Sequence, residues 1–302
     1  MNGKISNLNE VASLRRYTLT EGVERGLDVI DCDNGRIRFL LNVTKACDVM
    51  QLYHKGVNVS FVSKNGFSAR ELSFLDRFEG GMLYTCGLDS VGGREGFEIH
   101  GSLHNTPARI TRAECSEDGI LVEATVKSTA LFGRNLTLKR RIEAKPFSDT
   151  LSIKDTVVNE GFCDEDYALL YHVNVGYPMI DEGAYVTLDE KNVIPRTPWS
   201  EKNIASMKNI GAPVPLEEET CYFLELEKPR ASVTNERIGK RLTVSYSPDI
   251  LDHFIEWRSM ASGDYALGFE PASTELDDNF TMKPIQPGEK INFRVELSIN
   301  KI

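Results

Sequence analysis

The 302-residue sequence contains no apolar run that approaches the roughly 18 to 20 residues needed to cross a bilayer. Residues 1–16 also lack the basic and then apolar plan of a signal peptide. Basic residues are in deficit: 35 stand against 45 acidic ones, for a formal net charge of -10, and the phosphates of a nucleic acid would be repelled. We therefore expect a cytoplasmic protein that binds neither nucleic acid nor a membrane.

Several common catalytic motifs are absent as well. The six cysteines have no paired spacing, and His54, His104 and His253 lack metal-ligand spacing, so we predict neither disulfides nor a metal. There is no Gly-x-Ser-x-Gly elbow, no phosphate-binding glycine loop and no dinucleotide fingerprint. These absences argue against serine-nucleophile and nucleotide-dependent chemistry, and we predict no cofactor.

Sustained helical periodicity is missing, whereas short alternating runs are frequent. The last run alternates Ile291, Phe293, Val295, Leu297 and Ile299 with polar residues, as in a strand with one buried face. Similar runs bounded by turn residues cover 37–43, 49–53, 120–127, 134–143 and 150–159. This pattern predicts one all-β domain over 1–302, a mostly antiparallel sandwich with few short helices. Residues 1–25 are predicted to form an entry arm that wraps one edge.

Two stretches, 60–98 and 187–219, interrupt the strand pattern. The first is rich in glycine, and the second contains Pro195, Pro198, Pro213 and Pro215. Long irregular segments in a compact domain are usually functional loops. We expect them to cover a groove on one sheet.

The stretch 169–178 reads as a strand with two different faces. Tyr171, Val173 and Val175 would point one way, and His172 and Asn174 the other, next to the small Gly176. A face with an imidazole, an amide and open space suits a ligand rich in hydroxyl groups. The alternative is a solvent-facing strand that happens to contain a histidine.

Two further stretches repeat this pattern of bulky against small or polar faces. In 265–271, Glu270 shares a face with Ala266 and Gly268, and in 97–101, Glu98 and His100 share a face. One carboxylate and two imidazoles could supply a general acid and a general base. Taken singly, each could equally be a solvated charge or a satisfied hydrogen-bonding group. Trp199 and Trp257 could stack on a sugar, although Trp257 could also be a core residue.

The order of these motifs resembles the galactose mutarotase-like (aldose 1-epimerase) superfamily. The motifs that show this resemblance are His100-Gly101, the strand around His172, and Gly268-Phe-Glu-Pro271, which is followed by 287–289 before the last strand. The closer resemblance is to its largely uncharacterised bacterial branch, through segments 13–26, 80–89, 104–108 and 256–260. It covers nearly the whole chain.

This resemblance implies a β-supersandwich with a sugar groove on the concave face of its larger sheet. It further implies that Glu270 is the catalytic base, that His172 is the general acid and that His100 contacts the ring oxygen. Substrate-binding roles fall to four residues: Arg77, Asp89, Asn105 and Asn174. The sequence departs from the family in two ways: Lys45 stands where the branch has arginine, and no residue matches the family's substrate-binding Asp between His172 and Glu270.

The implied function is an aldose 1-epimerase that opens and recloses the sugar ring without a cofactor. Two alternatives use the same groove: lyase or hydrolase chemistry on a sugar, and a non-catalytic carbohydrate-binding protein. The expected partner is a small-molecule sugar. The sequence leaves open whether the protein forms a homodimer. Arg77, Arg94 and Arg109 could bind an anionic substituent on that sugar.

Overall fold

The computed structural model describes residues 3–302, and all strand pairs in its two sheets are antiparallel. Helix accounts for 8% of the chain, well below the roughly one third that is usual in globular proteins. The all-β prediction is confirmed. In the described part of the chain, no helix is long and apolar enough to cross a membrane.

The smaller sheet contains five strands whose spatial order follows the chain. They are β1 (Ser13–Thr18), β2 (Asp28–Asp33), β3 (Ile37–Asn42), β4 (Asp48–His54) and β5 (Val57–Asn58). Strand β1 lies within the segment interpreted as an entry arm, and it forms one edge of this sheet by pairing with β2. Residues 1 and 2 of that segment are outside the described residues.

The larger sheet contains the thirteen remaining strands. They are β6 (Tyr84–Leu88), β7 (Arg109–Ser116), β8 (Gly119–Thr129), β9 (Asn135–Ala144), β10 (Thr150–Asn159), β11 (Glu165–Val175), β12 (Tyr185–Pro195), β13 (Thr220–Asn235), β14 (Lys240–Tyr246), β15 (His253–Ala261), β16 (Asp264–Ala272), β17 (Lys283–Ile285) and β18 (Lys290–Lys301). Their order is β17-β11-β16-β15-β13-β14-β18-β10-β9-β8-β7, with β12 on β13 and β6 on β11. Strands β11, β16, β15 and β13 are therefore neighbours.

Short helices connect some of the strands. The described α-helices are α1 (Phe74–Arg77) and α2 (Pro198–Asn203), and the 3-10 helices are Leu8–Glu10, Gly22–Glu24, Ile204–Ser206, Glu236–Ile238 and Asp277–Asn279. The irregular reading of 187–219 is wrong over residues 187–195, because this part belongs to β12 and pairs with β13. The irregular reading of 60–98 is wrong at β6, which pairs with β11.

The main core lies between the two sheets, and β11 shows how the faces are divided. Tyr171, Val173 and Val175 pack into this core. Leu170, on the opposite face, belongs to a second apolar cluster with Tyr84 and other residues. Because His172 is on this second face and is only 4% exposed, the solvent-facing alternative for this strand is wrong.

The sandwich also encloses a set of paired charges, which we call the core ion network: Asp48, Glu79, His104, Arg140 and Asp155. The Arg140 guanidinium contacts both aspartates, at 2.7 Å for Asp155. His104 Nδ1 lies 2.6 Å from Asp48 Oδ2, and its Nε2 lies 3.4 Å from Glu79 Oε1. Although burial opposes ionisation, Arg140 and His104 hold the pKa of Asp48 below its usual value. Each of the two cations in the network is therefore paired with two carboxylates.

Candidate active site

A cavity of about 710 Å³ lies on the face of the large sheet that points away from the main core. Its floor is formed by the neighbouring strands β11, β16, β15 and β13, which contribute His172, Glu270, Trp257 and Cys221. Its walls come from α1 and from the segments around residues 61–65, 92–100 and 216–219. This volume fits a small-molecule ligand such as a monosaccharide.

His172 and Glu270 lie side by side at the bottom of the cavity. The pairing of β11 with β16 joins Val173 to Phe269 and Asn174 to Gly268, which brings the two side chains opposite each other. His172 Nε2 is 3.2 Å from Glu270 Oε1. A Cβ atom on Gly268 would lie 2.8 Å from that same oxygen, so a residue without a side chain is needed there.

Burial changes the proton affinity of both groups, because neither charge is solvated at this depth. It raises the pKa of Glu270 to about 8, an effect that the positive charge of Arg196 reduces and the negative charge of Glu219 increases. Burial also lowers the pKa of His172 well below its usual value, and the neighbouring His100 lowers it further. Near neutral pH, Glu270 is therefore protonated and His172 is neutral.

His100 lines the same cavity, with its ring centroid 5.5 Å from that of His172. Burial lowers its pKa to about 4, so its imidazole is neutral. Its backbone adopts a φ of 65°, and Gly101 next to it has no room for a Cβ, which would lie 2.3 Å from the Ser90 carbonyl oxygen. The His-Gly dipeptide is thus explained by a tight turn that presents the imidazole.

Three further side chains determine the polarity of the cavity lining. The Trp257 indole Nε1 donates to Glu219 Oε2 at 2.7 Å, which fixes both groups at the cavity wall. Arg196 also lines the cavity, and its guanidinium is held by Asp277 through two hydrogen bonds of 2.6 Å. The cavity thus combines an aromatic surface with a carboxylate and a neutralised guanidinium.

The structure brings together the three residues predicted to be catalytic, His100, His172 and Glu270. The predicted substrate-binding residues lie elsewhere, outside the lining of this cavity. Asn174 is fully buried and donates to the His172 carbonyl oxygen at 3.1 Å. Asp89 accepts hydrogen bonds from the backbone and hydroxyl of Ser102 and contacts Arg134. Both support the backbone of the site.

Arg77 and Asn105 are the other two predicted substrate-binding residues. They line a separate cavity on the opposite side of α1. Arg77 is paired with Glu98, and Asn105 accepts a hydrogen bond from Lys45. Trp199 likewise lies outside the main cavity, with its indole Nε1 bonded to the Glu218 carbonyl oxygen.

Arg196 and Glu219 are cavity residues that sequence reasoning missed. A signal was present, because both lie in the segment 187–219 that was predicted to cover the groove. Glu219 also lies between His172 and Glu270 in sequence, the interval without a match to the family's substrate-binding Asp. Because the family pattern specifies aspartate, a glutamate in this interval does not match it.

The family model described as "Domain of unknown function (DUF4432)" matches residues 24–299. The chain belongs to the DUF4432 family. No curated protein matches this DUF4432 chain in sequence.

Solved structures resemble this DUF4432 protein over nearly its whole length. A Klebsiella pneumoniae protein, provisionally described as an aldose 1-epimerase, has a TM-score of 0.85 at 18% identity and covers 95% of this chain and 83% of its own. A galactose mutarotase-like protein from Clostridium acetobutylicum has a TM-score of 0.71 at 16% identity, covering 97% and 100%. A Salmonella typhimurium protein, provisionally described as a mutarotase, has a TM-score of 0.70 at 13% identity, covering 99% and 96%. The fold is therefore that of galactose mutarotase-like proteins, as the sequence motifs indicated.

Proposed function

We propose that this DUF4432 protein is an aldose 1-epimerase-like enzyme that interconverts the anomers of a free or modified aldose. The observation that carries the proposal is the His172–Glu270 pair, 3.2 Å apart at the floor of a sugar-sized cavity. The similarity of the fold to mutarotase-like structures supports the proposal.

Anomer exchange needs one group that donates a proton and one that accepts a proton at the same time. At neutral pH the pair holds one proton, on Glu270, and leaves His172 free to accept one. Transfer of this proton to His172 gives carboxylate and imidazolium, the roles implied by the family resemblance, without a change in proton count. The same pair can therefore open the ring and close it again.

The proton that the His172–Glu270 pair shares is enough to balance the reaction. In the opening step, the base removes the proton from the anomeric hydroxyl while the acid protonates the ring oxygen. The bond between C1 and the ring oxygen breaks, and the C1 aldehyde forms. Rotation about the C1 to C2 bond and the reverse proton transfers produce the other anomer. No electrons are exchanged with another molecule.

The remaining cavity residues have roles that follow from their positions. Trp257 offers a flat apolar surface for the hydrocarbon face of a sugar ring. Glu219 and Arg196 offer an acceptor and donors for sugar hydroxyls. The neutral imidazole of His100 would hydrogen-bond to the ring oxygen. The chemistry is thus divided between a pair that moves protons and side chains that orient the ring.

The test is the rate of anomer exchange, measured by one-dimensional NMR after dissolving pure α-D-glucose, α-D-galactose, α-D-xylose or β-L-arabinose with purified protein. We expect exchange above the buffer rate for at least one sugar. The variants Glu270→Gln and His172→Gln should each lower the catalysed rate by roughly a hundredfold or more, as expected for loss of a general acid or base. The matched control is Glu225→Gln, an exposed residue of β13 that is outside the cavity lining.

The same samples distinguish the alternative functions. Lyase or hydrolase chemistry would give a product of new mass in mass spectrometry. A binding protein would show saturable sugar binding in calorimetry with no catalysed exchange. Unchanged exchange in Glu270→Gln would contradict the proposal.

A further inference from the structure

A second cavity, of about 670 Å³, lies on the other side of α1 from the cavity that contains His172 and Glu270, which we call the sugar cavity after the function proposed for it. We call it the basic cavity and define it by Lys45, Arg70, Arg77 and Asn105. It shares no lining residue with the sugar cavity. The two are separated by α1 and by the segment leading to His100.

Lys45 is the main anomaly of the basic cavity. It is 6% exposed, yet no carboxylate within residues 3–302 lies within ion-pairing distance of it. Its ammonium group can donate three hydrogen bonds and donates one, to Asn105 Oδ1 at 2.8 Å. Burial lowers the pKa of Lys45 and the charge of Arg77 lowers it further, whereas the carboxylate of Glu79, beyond ion-pairing distance, opposes both. A buried cation with no carboxylate in direct contact is unfavourable unless something else supplies a contacting negative charge.

The neighbouring side chains add donors rather than acceptors. Arg77 donates to the Leu72 carbonyl oxygen at 2.8 Å and to Glu98 Oε2 at 2.5 Å, while its Nε has no partner in the described structure. The Asn105 Nδ2 group is likewise buried without a hydrogen-bond partner there. The acidic residues of the lining, Glu71 and Glu98, are both exposed.

We infer that the basic cavity binds a small oxyanion, the chemistry shared by a carboxylate and a phosphate group. An anion would give Lys45 a counter-ion in direct contact, which Glu79 does not provide, and it would accept hydrogen bonds from Lys45 and Arg77. Charge-assisted bonds of this kind are stronger than neutral ones, and arginine is well suited to paired oxygens. The inference is independent of the reaction in the sugar cavity.

The experiment titrates the full-length protein with sodium phosphate and, separately, with sodium acetate, at constant ionic strength maintained with sodium chloride. Binding is followed by calorimetry and by the rise in melting temperature that a ligand specific for the native state produces. Saturable binding of either anion by the wild type is expected, and the preferred anion identifies the ligand class.

The variants locate the site. Lys45→Met should weaken binding roughly tenfold or more, since a charge-assisted bond is lost, and Lys45→Arg should restore much of it. Lys64→Met is the matched control, because Lys64 lies in the sugar cavity lining. Arg77→Met gives a second loss variant should Lys45→Met fail to fold.

Three results would overturn the inference. The first is a wild type that binds neither phosphate nor acetate. The second is equal binding by Lys45→Met and wild type. The third is loss of binding in Arg196→Gln but not in Lys45→Met, which would place the anion in the sugar cavity.

Discussion

The core ion network and the His172–Glu270 pair are both buried, but they differ in how completely their polar atoms are paired. In the network, Arg140 contacts two aspartates and His104 lies between two carboxylates, so every charged group has a partner of opposite sign. In the cavity, both Glu270 Oε1 and His172 Nδ1 lack a hydrogen-bond partner in the described structure, whereas among the five network residues His104 Nε2 alone does, and it lies 3.4 Å from Glu79 Oε1. The network lies between the sheets, whereas the pair faces a cavity. Burial alone therefore does not distinguish a candidate functional charge; incomplete partnering beside open space is what separates the His172–Glu270 pair from the network.

Of the substitutions that distinguish the two regions, one that breaks the network should cause the largest change in the free energy of unfolding. Arg140→Leu leaves Asp155 buried without its cation and Asp48 paired with His104 alone, and removal of one partner from a buried ion pair typically costs about 3 to 5 kcal/mol. We expect this loss in the free energy of unfolding measured with urea. The control is Arg112→Leu, which breaks an exposed pair with Glu114 and should leave the free energy of unfolding almost unchanged. Equal costs would contradict the distinction.

In the cavity, a substitution that removes a charged group should instead raise the free energy of unfolding at high pH. The folded state raises the pKa of Glu270 from 4.5 to about 8. The native protein therefore binds more protons than the unfolded chain between these values, and stability falls as the pH rises through this window. Glu270→Gln lacks this penalty.

The free energies of unfolding of wild type and Glu270→Gln, measured at pH 5, 7 and 9, check this sign. As the pH rises, the free energy of unfolding of the variant should increase relative to that of the wild type. We expect a relative increase of about 2 to 4 kcal/mol at pH 9, given about 1.4 kcal/mol per pKa unit. A difference that does not change with pH would show that Glu270 ionises normally in the folded protein.

A smaller effect on stability is expected from crowding the pair. In Gly268→Ala, the new Cβ would lie 2.8 Å from Glu270 Oε1 and 3.2 Å from His172 Cε1. We expect a loss of about 1 to 3 kcal/mol, as for other overpacked sites, and a fall in catalysed anomer exchange of up to about a hundredfold, because the two groups are displaced. Gly211→Ala is the control, since no atom lies within 4 Å of its Cβ position. Full exchange in Gly268→Ala would show that the observed spacing is not needed.

Much of the fold was predictable from local patterns. The alternation at 150–159 coincides with β10, and the alternation at the end of the chain lies within β18. Residues 187–195 were misassigned because their pattern is polar and interrupted, and β12 is held by its pairing with β13 across register shifts. Pairing between distant segments leaves little trace in a single sequence.

The site was only partly predictable for a related reason. His172 and Glu270 could be found because each alternates with a bulky face of its own strand. Arg77 and Asn105 stand beside recognisable motifs, but α1 turns Arg77 toward the second cavity. Arg196 and Glu219 reach the cavity that contains His172 and Glu270 from an irregular segment, where no periodicity indicates the direction of a side chain.

The most direct test of the central claim is the pH dependence of the catalysed anomer exchange, measured by NMR and corrected for the buffer rate. If one proton shared by His172 and Glu270 performs the reaction, the rate should fall above a pH of about 8, as Glu270 loses its proton. It should also fall at acid pH, once His172 becomes protonated, and Glu270→Gln should abolish the profile. A catalysed rate that persists unchanged in Glu270→Gln, or the absence of catalysed exchange for every sugar tested, would contradict the account.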